Sequence, residues 1–431
     1  MSKEENRKNF SKYVSQNILG MIGFSCYVLA DSYFISIAKG ADGLTALNLV
    51  MPLYSIIFSI GEMIGVGSAI RYAISKIKKD ADADDYFWNA LIWCILSSIL
   101  FVFAGIFFSA DIMRVLGADE HIVAVGNNYT KIFMCFAPMF MCNYVTNAFV
   151  RNDGAPGIAM SATLFSSLFN IVFDYILMFP MKLGMEGAAL ATALSPIIGM
   201  GICSIHFFSK KSSVRLVVCK PSVRKLVAGS QLGVSAFVGE MSSAVITLAF
   251  NFVILKLTGN VGVAAYGVVA NIAIVTTAVF NGVAQGSQPL ISSCFGRGDK
   301  DGCTQLKRMG YTTAFVLAAV MYSILFIFAE QFVAVFNSEG SEMLRLYATE
   351  GVKLYFIGIF FAGINIVGGG AFSATEDAFK AAVVSVARGF VLILGAVFVM
   401  SALFGMTGVW LAYAVAEGIT TFIMLVMALR V

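Results

Sequence analysis

The sequence has few charged residues for its length. Asp, Glu, Lys and Arg make up 13% of the 431 residues, whereas 59% are apolar. The charged share is about half of that in soluble domains, and no stretch is long or polar enough to form one. This composition excludes an aqueous enzyme, a nucleic-acid-binding protein and a disordered scaffold. The apolar residues suffice for about twelve membrane helices of about 20 residues each.

Histidine and paired cysteine, which serve as metal ligands and catalytic groups, are also scarce. His121 and His206 are the two histidines and lie far apart. The eight cysteines are scattered without the spacing of a zinc or redox motif, and most lie inside apolar runs. We therefore expect no catalytic residues and no cofactor.

Twelve apolar segments follow one another, separated by short polar or glycine-rich stretches. They predict an all-α integral membrane protein with twelve transmembrane helices. An even number of spans places both termini on the same side of the bilayer. The segments cover residues 14–38, 45–72, 86–110, 122–149, 158–180, 185–208, 228–257, 263–294, 311–336, 345–373, 379–403 and 406–429.

The basic residues are unevenly divided between the two sides of the predicted membrane. With the N terminus inside, 22 of the 29 Lys and Arg residues lie on the inside, among them Arg151 and Arg430, and 7 lie outside. Because cytoplasmic loops carry the excess of Lys and Arg, both termini are predicted to be cytoplasmic in a cell membrane. The basic cluster from Lys210 to Lys225 is then a topology signal rather than a ligand site.

The second half of the sequence repeats the first at a nearly constant offset. Each half contains six predicted helices and begins on the same side, so the repeats are parallel and related by an axis along the membrane normal. We predict a six-helix lobe at 1–212, a cytoplasmic linker at 213–228 and a second six-helix lobe at 229–431. The matches include Gly40 with Gly259, Gly184 with Gly405, and Asp153 with Glu376, at offsets of 219, 221 and 223.

Five carboxylates lie within the predicted spans. A carboxylate at the centre of a membrane helix costs about 2.5–3.5 kcal/mol, so each is a candidate functional residue. One basic residue, Arg388, lies clearly within a span, near the cytoplasmic end. Because acids outnumber bases within the spans, the unpaired carboxylates are expected to be protonated, to bind a cation or to face a hydrated cavity. The acids are Asp31, Glu62, Asp174, Glu240 and Glu417.

Asp174 has the most informative neighbours. Asn170 precedes it by four residues, so both side chains project from one helical face. Span 6 offers Thr192 and span 1 offers Asp31. Two carboxylates, an amide and a hydroxyl suit a shared proton and, equally, a small hard cation. A structural hydrogen-bond network between the spans is the other interpretation, and the residues alone do not choose.

The remaining acids also have two interpretations each. Glu62 lies in GEMIGVG, where small residues allow close helix contact, and a hydrogen bond across that contact explains it as well as a role in a cavity. Glu240 and Glu417 are either cation sites of the second lobe or hydrated groups near helix ends.

Taken together, the motifs resemble those of the MATE (multidrug and toxic compound extrusion) family, in its bacterial branches, over nearly the whole chain. Their order and spacing are more specific than any one of them. They are LADSYFIS, GVGSAIRYAIS, AFVRNDGAPGIAM, NIVFDYILMF, GMEGAALATALS and VAQGSQPLISSCFGRGD.

The resemblance implies a secondary antiporter that exports organic cations or amphipathic compounds in exchange for inward H⁺ or Na⁺. It implies a monomer whose two lobes form a V around a central cavity, with the lipid bilayer and small organic substrates as partners and no nucleic acid. By position, the ion-coupling residues are Asp31, Asn170, Asp174, Thr192 and Tyr129, and Na⁺ is a candidate ligand of the first three. The candidate cavity residues are Gln285 and Gln288, with Glu62 and Glu240.

The sequence departs from the family pattern in two places. The first proline is Pro52, so a proline-based bend of span 1 does not carry over, and Glu62 stands where a small or neutral residue is expected. A lipid-linked oligosaccharide flippase of the same superfamily is an alternative, but its phosphate site needs several buried bases and Arg388 is the one available. A polytopic membrane enzyme is a further alternative and lacks a clustered catalytic set.

Overall fold

The computed structural model describes residues 3–337 and 341–429. Arg430, which the charge count includes, lies outside these described residues. Within them every regular element is helical, which confirms the all-α prediction. Nine helices in the described ranges are long and apolar enough to cross a membrane, and ten when one bent pair is included. Two of the ten reverse direction at a glycine, which makes twelve spans.

Six spans form the first lobe. They are α1 (Lys3–Gly40), α2 (Asp42–Lys78), α3 (Asp85–Val115), α4 (Glu120–Cys135 and Ala137–Asn152, bent by 46°), α5 (Pro156–Met178) and α6 (Gly184–Phe207).

Six further spans form the second lobe. The predicted boundaries of the lobes at 212 and 229 stay a prediction, and the first helix of this lobe begins at Val223. The spans are α7 (223–258), α8 (260–296), α9 (Lys300–Ile327, followed by the short helix Ala329–Phe336), α10 (Glu342–Ala374), α11 (378–404, with a π-helical turn at Ala387–Val391) and α12 (406–429).

Glycine makes three tight helix reversals within the described ranges. A straight helix over Val223–Gly296 would be about 111 Å long at about 1.5 Å per residue, yet the rings of Phe250 and Tyr266 stack with centroids 5.0 Å apart. The chain therefore folds back at Gly259, which has φ 67° and ψ −155°. Gly40 (φ 60°, ψ −143°) and Gly405 (φ 60°, ψ −136°) make the same reversal between α1 and α2 and between α11 and α12.

Gly259→Ala is expected to lower the free energy of unfolding by about 1–3 kcal/mol, because this backbone conformation is essentially restricted to glycine. A Cβ at this position would meet no atom within 4 Å, so the cost is conformational and not a clash. Unfolding of the purified protein in detergent measures it. Gly267→Ala is the matched control, since Gly267 also has open space around it but lies inside α8; it should stabilise the protein by up to about 1 kcal/mol. Equal effects of the two substitutions would contradict this interpretation.

The helix boundaries repeat between the lobes as the sequence matches predict. The second half of α4 covers Ala137–Asn152 and the second half of α10 covers Ile359–Ala374, an offset of 222 at both ends. Gly40 and Gly259 occupy the same reversal in the two lobes. The two six-helix units are therefore parallel copies of one arrangement.

The lobes meet through glycines near one membrane face. A Cβ on Gly286 would lie 2.7 Å from the Cα of Val14, so α1 and α8 pack backbone to backbone. Likewise, a Cβ on Gly67 would lie 2.1 Å from the carbonyl oxygen of Gly229, which joins α2 to α7. Small residues of this kind permit close helix contact in membranes.

Polar contacts close the same face. We call it the basic face: α1 begins there, and it carries Lys78 and the linker from Lys210 to Lys225. Glu376, at the end of α10, pairs with Arg71 and lies 3.5 Å from the Nζ of Lys78 on α2. The lobes are thus joined by packing and by charge at the basic face.

Candidate functional site

Four of the predicted ion-coupling residues come together inside the first lobe. Asn170 and Asp174 lie one turn apart on α5, Thr192 lies on α6, and Asp31 lies on α1. Asp174 and Asn170 are fully buried, and Asp31 is 7% exposed. The helix packing therefore buries two carboxylates on neighbouring helices.

Hydrogen bonds satisfy this cluster only in part. With its amide nitrogen towards Asp174, Asn170 donates to Asp174 Oδ2 at 3.0 Å, and its oxygen accepts from Oγ1 and the backbone nitrogen of Thr192, both at 3.2 Å. Asp174 Oδ1 and Asp31 Oδ1 are buried without a hydrogen-bond partner among the described residues. Buried polar atoms are normally paired, so these two oxygens are suited to receive a proton or a cation.

Two tyrosines adjoin the carboxylates from α2 and α4. The hydroxyls of Tyr54 and Tyr129 hydrogen-bond to each other, and both tyrosines interact electrostatically with Asp31 and Asp174. The ring of Tyr54 stacks on the ring of Phe133 with centroids 3.6 Å apart, and this contact fixes the position of Tyr54. Tyr129 was predicted to belong to the cluster, whereas Tyr54 was missed. Its only signal in the sequence is a polar hydroxyl inside an apolar span.

A cavity lies where α1, α2, α4, α5 and α6 of the first lobe meet α7 and α8 of the second. Glu62, Glu240 and Gln285 line it, whereas Gln288 does not: Gln288 is buried against Gly370. The wall mixes apolar and polar side chains, which suits an amphipathic ligand. Other lining residues include Asn17, Phe24, Tyr27, Phe58, Phe140, Asn143, Tyr144, Arg151, Met160, Ser166 and Pro196.

Arg151, which is counted above among the basic residues of the inside, is also a cavity residue. It lies in the last turn of α4, is 5% exposed and contributes to the cavity wall. Arg151 Nη1 donates to Gln285 Oε1 at 2.5 Å, and Gln285 Nε2 donates to Glu62 Oε1 at 3.3 Å. Gln285 of the second lobe thus lies between two opposite charges of the first. Arg388 is therefore not the only basic residue within the spans.

The cavity and the carboxylate cluster share α1. Tyr27 lines the cavity one helical turn before Asp31, and it interacts electrostatically with Asp31 and with Glu240. A movement of α1 at Asp31 therefore reaches a side chain in the cavity wall.

Glu417 is not an unpaired acid, which corrects one expectation. Arg388 Nη2 donates to Glu417 Oε1 at 2.7 Å, and Asn365 Nδ2 donates to Glu417 Oε2 at 2.7 Å. Glu417 is 2% exposed, so it is not hydrated near a helix end either. Glu240 remains without a basic partner among the ion pairs of the described residues.

Within the described ranges, no group of three or more His, Cys, Asp or Glu residues is arranged to hold a metal ion. The Na⁺ site predicted at Asp31, Asn170 and Asp174 contains two carboxylates and an amide and stays a prediction. Both histidines are bound to carboxylates elsewhere: His206 to Asp153 at 2.8 Å and His121 to Asp42 at 2.9 Å.

Solved structures share the fold. One, of the outward-facing conformation of a multidrug resistance MATE family transporter of the MOP superfamily, has a TM-score of 0.92 at 20% identity and covers 99% of this chain and 96% of its own. Another, of a MOP superfamily transporter from Pyrococcus furiosus, has a TM-score of 0.91 at 19% identity, with 99% and 95% covered. These likenesses confirm the predicted two-lobed fold.

Two relatives in sequence come from Staphylococcus species. The multidrug export protein MepA of Staphylococcus saprophyticus is 26% identical over 405 residues, which cover 93% of this chain and 89% of that protein. MepA of Staphylococcus aureus strain MRSA252 is 27% identical over 414 residues, with the same shares covered. The model of the MatE family matches residues 17–176 and 236–399, well over half of the chain. The chain therefore belongs to the MatE family and is a multi-pass membrane transporter, not an enzyme.

Proposed function

We propose that this transporter exports organic cations or amphipathic compounds from the cell in exchange for inward H⁺ or Na⁺. The observation that carries the proposal is the pair of buried, unpartnered carboxylate oxygens on Asp31 and Asp174, of which Asp31 lies one helical turn from the cavity residue Tyr27. The names of the two Staphylococcus relatives, both multidrug export proteins, support the same activity.

In this mechanism, the inward ion binds at the buried carboxylate oxygens of the first lobe that have no hydrogen-bond partner among the described residues. A proton or Na⁺ at Asp31 and Asp174 removes their mutual repulsion and alters the packing of α1, α5 and α6. Because Tyr27 lies on α1 within the cavity wall, the change lowers the affinity for the bound compound. Release of the ion on the inner side restores the charge and the receptive cavity.

The required coupling is modest. A membrane potential supplies about 2.3 kcal/mol per charge for each 100 mV, which corresponds to about a fiftyfold concentration ratio. Exchange of one H⁺ for one monovalent organic cation moves no net charge, so it draws on the pH gradient alone.

Glu62 and Glu240 supply the negative charge that attracts the organic cation.

The basic face is proposed to be cytoplasmic, with both termini on that side of the cell membrane and the protein a monomer. The excess of Lys and Arg supports this orientation. The lobes are joined at the basic face, so the cleft between them opens towards the opposite side. We therefore assign the outward-facing state to this structure.

Transport by purified protein in liposomes tests the proposal. A fluorescent cationic dye is followed while a pH gradient and a Na⁺ gradient are imposed separately. We expect the dye to move against its own concentration gradient when one of the two ion gradients is imposed. With the dye present, a separate indicator of internal pH or Na⁺ should show that the ion moves in the opposite direction. If neither gradient moved any cationic dye, the exchange mechanism would be refuted.

The residues that line the cavity do not favour the alternative function, a lipid-linked oligosaccharide flippase. Phosphate recognition calls for several basic side chains, and among the described residues Arg151 is the one base in the cavity wall, close to Glu62. Arg388 is occupied by Glu417 and does not line the cavity.

A further inference from the structure

The repeat relates one corner of the cavity to the buried ion pair of the second lobe. The second halves of α4 and α10 are offset by 222, as are the first residues of α5 and α11, and Gly184 and Gly405 at the starts of α6 and α12 are offset by 221. These offsets match three residues of the first lobe to residues of the second. Asn143 corresponds to Asn365, Ser166 to Arg388, and Pro196 to Glu417, at offsets of 222, 222 and 221.

In the first lobe this corner is open and only partly satisfied. Asn143, Ser166 and Pro196 all line the cavity. The hydroxyl of Ser166 donates to the carbonyl oxygen of Ser195 at 2.8 Å, so its lone pairs stay available. Asn143 Oδ1 is buried next to Gly199 of α6, whereas Asn143 Nδ2 donates in no hydrogen bond among the described residues. The amide nitrogen of Asn143 and the hydroxyl of Ser166 thus border the cavity with unused hydrogen-bonding capacity.

In the second lobe the same corner is filled. Arg388 spans from α11 to Glu417 on α12, and Asn365 on α10 donates to the Glu417 carboxylate. Thr421 in turn donates to Asn365 Oδ1 at 3.0 Å, so both ends of that amide are bound. Arg388 belongs to the π-helical turn Ala387–Val391, a feature that α5 lacks at the corresponding place. Large, mutually bound side chains replace a serine and a proline.

We infer that the Asn143–Ser166 corner is a substrate subsite that hydrogen-bonds an uncharged polar group of the exported compound. The charge of the compound is held separately, by Glu62 and Glu240. Only the first lobe offers this subsite, because Arg388 and Glu417 occupy its mate. The inference rests on the proposed function for the nature of the ligand, but it concerns binding and not ion coupling.

Binding without any ion gradient tests it, using two lipophilic cations as probes. Ethidium carries two aromatic amines, whereas tetraphenylphosphonium has no hydrogen-bonding group. Loss of one buried hydrogen bond predicts that Asn143→Ala weakens ethidium binding about five- to tenfold. Tetraphenylphosphonium binding should stay unchanged, because the substitution removes no contact that this probe needs. Titration calorimetry on the protein in detergent gives both dissociation constants.

Asn128→Ala is the matched control, since Asn128 lies in the first half of α4, donates to Glu186 at 2.7 Å and does not line the cavity. It should leave both probes at native affinity. Equal weakening of the two probes by Asn143→Ala, or no weakening of either, would overturn the subsite. The native chain should bind one ethidium, and two sites of equal affinity would overturn the assignment to a single lobe. If the native chain binds both probes but transports neither under any gradient, the proposed function fails and the subsite does not.

Discussion

Asp174→Asn and Asp31→Asn are each expected to reduce ion-driven efflux of a cationic dye to the level of vesicles without the protein. Asparagine keeps the size of aspartate, but at physiological pH it neither carries a charge nor takes up a proton. The substituted position can therefore no longer gain and lose charge. The amide should be tolerated, because it removes a costly buried charge rather than adding one. Everted membrane vesicles with imposed pH or Na⁺ gradients measure the effect, and immunoblots of the membrane fraction verify that each variant is present.

The matched control for this prediction is Asp111→Asn. Asp111 lies near the end of α3 with its side chain 63% exposed, and it bonds to Arg114 at 2.8 Å. The same change of residue type on the surface should leave efflux at the native rate. Normal efflux by both Asp174→Asn and Asp31→Asn would exclude the cluster as the ion-coupling site, even if the protein proved to be an exporter.

Arg388→Met is expected to lower the free energy of unfolding by about 3–5 kcal/mol, because it leaves the carboxylate of Glu417 buried without its charge partner. Combining it with Glu417→Leu should recover most of this loss, since replacing a buried pair by apolar residues of similar volume is often neutral. Thermal or denaturant unfolding of the purified single and double variants measures both effects.

A surface ion pair supplies the comparison. Arg345 bonds to Glu342 at 2.7 Å, but both side chains are largely exposed, at 43% and 67%. Arg345→Met should therefore cost about 1 kcal/mol or less. If Arg388→Met were no worse than Arg345→Met, the second lobe would not depend on its ion pair. If the double variant were as unstable as the single one, hydrogen bonds and not charge would hold the pair in place.

The sequence alone was enough for the arrangement of the helices. Each span must bury about 30 Å of backbone in hydrocarbon, so the length and apolar content of the segments predict the twelve spans. The equivalence of Gly40 and Gly259 needed only the repeat, because a reversal that glycine alone allows must recur in both copies. The four-residue spacing of Asn170 and Asp174 likewise fixed their common helical face.

The tertiary structure alone decided which polar groups meet across helices. Spacing along one helix does not specify the neighbour on another, so the pairing of Arg388 with Glu417 and the hydrogen bond of Tyr54 to Tyr129 were not predictable. Arg151 was missed for a related reason: hydropathy marks where the apolar run ends, but the adjoining lobe decides how deep the last turn of α4 is buried. The sequence supplied the charges, and the packing of the two lobes determined which are neutralised and which remain available to a ligand.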